Sequence, residues 1–89
     1  MMYPYITFFD ETEVTHSQII ERNSQKEIEV HFERPTENGF DAARCVLPSY
    51  TWLKREGYSD EEMLFFEQFL QNNAHLLYRY AEMGGLNIA

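Results

Sequence analysis

Three histidines (His16, His31 and His75), one cysteine (Cys45) and fifteen carboxylates are the side chains in this 89-residue chain whose types lend themselves to metal binding or catalysis. Zinc takes nitrogen and sulfur donors at tetrahedral spacing. The sequence offers no histidine pair at i and i+4, no Cys-x-x-Cys and no Asp-rich calcium loop. What remains is a pair across strands. A two-residue reversal at Asn23-Ser24 sets His16 opposite His31, with Glu29 and Glu33 beside them. Facing imidazoles suit a metal or pH sensor, because protonating both brings like charges together. Two half-exposed sheet residues are the plainer expectation, since a histidine-bound metal needs further donors and an orienting shell.

A nucleophilic Cys45 needs an adjacent base. Its expected neighbours are Phe32 and Leu47, with both histidines on the other face of the sheet, so the alternation predicts a buried, inert thiol. The carboxylates fall in turns, on an alternating strand and at a helix start, and set up no acid–base pair. Gly39, Gly57, Gly84 and Gly85 sit at turns or stops, and none opens a phosphate loop. Neither a catalytic residue nor a cofactor is expected.

The elements that position these side chains divide by hydrophobic period. Glu-Ile-Glu-Val-His-Phe-Glu, residues 27–33, alternates strictly, with Ile28, Val30 and Phe32 on one face. Turns at Asn23-Ser24 and Asn38-Gly39 flank it. Those turns put Ile19 opposite Ile28, Phe32 opposite Cys45, Val30 opposite Leu47 and Glu33 opposite Arg44. The expectation is a four-stranded antiparallel meander, at about 5–9, 14–21, 26–33 and 40–47. Its core face carries Ile6, Phe8, Ile19, Ile28, Val30, Phe32, Cys45 and Leu47, and its outer face includes Tyr5, Phe9, Val14, His16, Ile20, His31 and Val46.

A short helix is expected over 50–56, with Gly57 as its stop. A long amphipathic helix over 60–83 opens on a capping box, Ser59-Asp60-Glu61-Glu62, stapled by Tyr58 and Met63, and closes at Gly84-Gly85. At 1.5 Å per residue it reaches about 36 Å, enough to overhang a small sheet or break near Asn72-Asn73. One stripe holds Met63, Phe66, Leu70, Ala74, Leu77 and Ala81, and a second holds Phe65, Phe69, Leu76 and Tyr80. The first packs on one sheet face; the second needs another cover. His75, Gln68, Asn72 and Arg79 form a polar arc.

The whole, 1–89, reads as a single α+β domain, since a chain this short builds one core. A net charge of −8 repels phosphate backbones and anionic membranes, so neither nucleic acid nor membrane is an expected partner. No apolar run reaches the ~20 residues of a membrane span, the first residues lack a signal-peptide pattern, and a lone cysteine excludes an intrachain disulfide. A cytoplasmic protein is the resulting expectation.

Surplus apolar surface and missing catalytic constellations favour a non-enzymatic interaction or regulatory module. It would be a homodimer, or the acidic, antitoxin-like partner of a basic protein. The interface candidates are Phe65, Phe69, Leu76, Tyr80, Tyr5 and Phe9. The alternative is a small ligand-binding protein or enzyme with an aromatic pocket between sheet and helices near Tyr50, Trp52 and Tyr58.

Overall fold

In the computed structural model, which describes residues 1–84, the order of elements is β1 (Met2–Thr7), β2 (Glu13–Ser17), β3 (Ile20–Arg22), β4 (Gln25–Thr36), β5 (Gly39–Leu47), β6 (Thr51–Glu56) and α1 (Asp60–Met83). The six strands form one antiparallel sheet in the order β1-β2-β4-β5-β6, and β3 pairs with the far end of β4. The α+β class stands, but the four-stranded meander becomes six strands and the helix expected over 50–56 is β6. Local preference misleads there, because Leu53-Lys54-Arg55-Glu56 before Gly57 reads as a helix end. Tyr50 instead takes a left-handed turn conformation, φ 59°, and the chain returns along β5 with Trp52 opposite Cys45 and Lys54 opposite Arg44. The open edge of β5 decides the outcome.

Sequence expectation and structure also part at the β2–β3 junction. β3 keeps the register set by Asn23-Ser24, with Arg22 opposite Gln25 and Ile20 opposite Glu27. Beyond Gln18-Ile19 the register slips by one, so that Thr15 faces His31 while His16 faces Val30. One extra residue in a strand reverses every side chain that follows. Val14 and His16, expected on the outer face, are therefore fully buried in the core. Ser17 Oγ accepts from the Glu29 amide at 2.9 Å and donates to Gln18 O at 2.8 Å, which closes the ladder across the irregularity. In β4–β5 the loop is Glu37-Asn38, two residues off the expected register. Because that shift is even, the faces are unchanged: Ile28, Val30, Phe32, Cys45 and Leu47 are all buried.

Helix α1 covers this inner face with Met63, Phe66, Leu70, Leu77 and Ala81. Phe66 stacks on Phe32 with ring centroids 4.2 Å apart. The capping box is complete, Ser59 Oγ accepting from the Glu62 amide at 3.1 Å and Glu62 Oε1 accepting from the Ser59 amide at 2.9 Å. At the other end Gly84, φ 80°, is the cap; Gly85 lies outside the described residues. There is no break at Asn72-Asn73. Asn73 Nδ2 donates to Phe69 O at 2.9 Å and its Oδ1 accepts from Tyr5 OH at 2.7 Å, tying the helix to β1. Among the described residues no helix is long and apolar enough to cross a membrane.

Candidate functional site

Strand β1 ends in a tight connection whose two phenylalanines diverge. The Glu11 amide donates to Phe8 O at 3.0 Å, the Phe8 amide to Thr12 O at 2.9 Å, and the Thr12 amide to Asp10 Oδ1 at 2.9 Å. Glu11 takes the left-handed conformation that this reversal demands, φ 72°. So held, Phe8 turns inward against Phe69, Phe65 and Phe66, at centroid distances of 5.1, 5.4 and 6.4 Å. Phe9 is left fully exposed.

Between this connection and the first turns of α1 lies an apolar groove of about 680 Å³, lined by Ile6, Thr7, Phe8, Phe9, Phe65 and Phe66, with Asp10, Glu61 and Glu62 on its rim. Its volume falls within the ~300–1,000 Å³ of ordinary binding sites. Ile6 and Phe65 are 46% and 55% exposed. The groove is thus an exposed cluster of large apolar side chains edged by carboxylates.

Arg34 anchors the groove from beneath. Its guanidinium donates to Glu62 Oε2 at 2.7 Å, to Asp41 Oδ2 at 2.7 Å and to Asp10 Oδ2 at 2.9 Å, and it lies 4.8 Å from the centroid of the Tyr58 ring. One side chain thus joins β4, β5, the β1–β2 connection and α1. The guanidinium, followed by the Ser59 amide, holds the Glu62 carboxyl below its usual range. Burial works the other way at Asp10, but the Thr12 amide and Arg34 outweigh it and the net shift is downward. Both are therefore ionised at neutral pH and neither is a proton donor.

The other singled-out residues do not converge. His16 and His31 lie on opposite faces: His16 is buried with Nδ1 2.8 Å from Ser17 O, and His31 Nε2 is 3.1 Å from Glu29 Oε1 on the outer face. The register slip removes the facing pair on which a shared metal or coupled titration depended. Among the described residues, no group of three His, Cys, Asp or Glu side chains could hold a metal. Burial pushes the Cys45 thiol up to about 12, with the Glu67 carboxylate adding to the shift.

Tyr50, Trp52 and Tyr58 stand in different surroundings. Tyr58 is buried against Phe66, centroids 4.8 Å apart, with its hydroxyl 3.3 Å from Thr12 Oγ1. Trp52 Nε1 donates to Glu67 Oε2 at 3.2 Å and lines a separate hollow with Arg55, Asp60, Met63, Leu64 and Glu67. Tyr50 is half-buried at the edge of the core. In the second helix stripe, Phe69, Leu76 and Tyr80 are half-buried, Phe69 and Tyr80 against Tyr5 at 6.1 and 5.9 Å, while Phe65 stays open. Strand β1 supplies most of the cover that this stripe needed.

Sequence reasoning missed Ile6 and Phe8 as groove walls and missed Arg34 altogether. Its signal was the pairing of Arg34 with Asp41, visible only once Glu37-Asn38 is taken as the turn. No family model, curated protein or solved structure matches the chain, so this site is interpreted from its own geometry.

Proposed function

We propose that the protein is a non-enzymatic interaction module whose groove holds a basic segment of a protein partner through an apolar anchor. The observation that carries this reading is the fully exposed Phe9 at the lip of an apolar groove whose rim is Asp10, Glu61 and Glu62. Removing large apolar side chains from water favours association by about 25 cal/mol per Å², before the entropy lost on binding is subtracted. The carboxylates select sign, favouring Lys and Arg beside the anchor and repelling acidic sequences. A net charge of −8 extends the same preference over longer range. A regulatory role follows when the occupied segment is one that the partner needs for its own activity.

The test is a titration with a synthetic amphipathic peptide bearing leucines at i, i+3, i+4 and i+7 and lysines elsewhere, followed by fluorescence anisotropy. The reading expects binding that is lost in Phe65→Ser and Phe9→Ser and is absent for the same peptide with glutamate in place of lysine. Binding that ignores both substitutions, or no binding at all, sinks it.

A further inference from the structure

Among the described residues no helix packs on the sheet face turned away from α1, where Ala42 and Val46 are buried by their neighbours, and the register arranges its side chains in rows across the strands. Pro35 and Phe40 make a short apolar row. Next come Glu13, Glu33, Ala42 and Glu56, acidic except at Ala42. Then follow Thr15, His31, Arg44 and Lys54. His31 already contacts Glu29 and Lys54 already contacts Glu56 of the same chain, which leaves Arg44 as the basic member of this row with no carboxylate partner among the described residues. Glu29, Val46 and Thr51 form the next row, and on β1 Thr7 and Pro4 lie opposite Glu13 and Thr15.

Arg44 is the anomaly. Its Nε is buried without an acceptor and no ion pair engages its guanidinium among the described residues, whereas Arg22, Arg34 and Arg55 each pair with a carboxylate. Phe40, on the same face, is 67% exposed. A buried donor without a partner costs about 1–3 kcal/mol, so the face is incomplete as it stands.

We propose that two copies of the chain stack these outer faces about a twofold axis parallel to the rows and midway between the acidic and the basic one. Such an axis exchanges the two charged rows and exchanges the Phe40 row with the Val46 row, while each side chain stays in line with its own strand. Arg44 then stands over Ala42 of the partner subunit, the one short side chain in the acidic row, and between the partner's Glu33 and the partner's Glu56. His31 meets the partner's Glu33, Lys54 meets the partner's Glu56, and Phe40 covers the partner's Val46. Symmetry makes every contact twice, as an isologous interface requires.

Stacked sheets lie about 10 Å apart and about 30° from parallel. Paired long side chains span that gap, and contacts are closest near the centre, where Arg44 and Ala42 lie. The row exchange sets opposite charges against each other, which offsets part of the repulsion between two chains of charge −8. A small anion bound at Arg44, or a different protein on this face, is the competing occupant.

Sedimentation equilibrium across a concentration series tests the proposal. The native chain is expected to dimerise, and Arg44→Glu to weaken the dimer by about thirtyfold or more, because it sets carboxylate against carboxylate. The double variant Glu33→Arg/Glu56→Lys weakens it likewise. Mixing the two variants favours a dimer containing one copy of each over either self-pairing, since residue 44 of each copy then again faces side chains of opposite sign, against one new like-charged contact between Lys54 and the substituted position 56. Phe40→Glu breaks the interface independently of the Arg44 contact, and circular dichroism melts verify that each variant is folded. A chain monomeric at every concentration, a dimer indifferent to Arg44→Glu and Phe40→Glu, or a mixture that stays monomeric overturns the proposal. A dimer lost in Phe65→Ser but kept in Arg44→Glu overturns it too, by moving the contact to the groove.

Discussion

Arg34 and Glu62 meet at 2.7 Å, and the carboxylate that receives Arg34 on Oε2 also accepts the Ser59 amide on Oε1 at 2.9 Å. One side chain therefore completes the helix cap and fastens the helix to the sheet. Because Arg34 holds Asp10 as well, the connection carrying Phe8 and Phe9 is fixed to the same point that fixes Phe65 and Phe66. The two walls of the groove are set by a single guanidinium.

Removing that guanidinium should cost more than removing any one of its partners. Glu62→Ala loses a capping interaction and one charged hydrogen bond, for about 2 kcal/mol. Arg34→Met keeps the volume but leaves Asp10, Asp41 and Glu62 unpaired, for about 3 kcal/mol at most, since Asp10 and Glu62 are 46% and 33% exposed and water screens them. Urea denaturation of both variants gives the order. Equal losses would show that the cap alone matters and that the hub does not.

The same contacts fix an acid response. Glu62 and Asp10 are held below their ordinary pKa in the folded state, so the unfolded chain binds protons first as pH falls. Their contribution is complete above the normal carboxylate range and is lost as pH drops below about 4, through the depressed values. Stability measured against pH should decline there in the native chain and decline less steeply in Arg34→Met, where the main cause of the Glu62 depression is gone.

Elements marked by local chemistry were legible in the sequence. Ser59, Glu62 and Gly84 delimit α1, and the alternation of Ile28, Val30 and Phe32 sets the inner face of β4. What escaped depends on partners distant in sequence. Nothing in Gln18-Ile19 marks the extra residue that buries His16, and β6 exists because β5 offers it an edge against the helical preference of its own residues. Phe9 and Phe65 were singled out as apolar excess, yet the groove between them needed Arg34, whose three partners lie 7, 24 and 28 residues away.

Gly57 tests how closely the hub is packed. It adopts φ 85°, and a Cβ built there would collide with the Asp41 carboxylate that receives Arg34. Gly57→Ala combines left-handed strain with displacement of Asp41, and a loss of about 2 kcal/mol or more is expected. A smaller loss from Gly57→Ala in an Asp41→Ala background than in the native chain would identify the collision as its cause. A Gly57→Ala protein as stable as the native one would show that the turn relaxes without disturbing Arg34.

Adjacent phenylalanines on α1 should separate folding from binding. Phe66 is 2% exposed and stacked on Phe32, so Phe66→Ala opens a cavity in the core and should cost about 3–5 kcal/mol. Phe65 is 55% exposed, with its ring against Phe8 and Phe66. Phe65→Ser should therefore cost less than about 1 kcal/mol, yet remove the lysine-rich peptide's binding. The exposed ring adds little to folding and is kept out of the core by helical geometry, since a residue one position along is turned 100° away. If Phe65→Ser proves as destabilising as Phe66→Ala, the ring belongs to the core and the groove is only its margin. If it is stable and still binds the peptide unchanged, the anchor lies elsewhere.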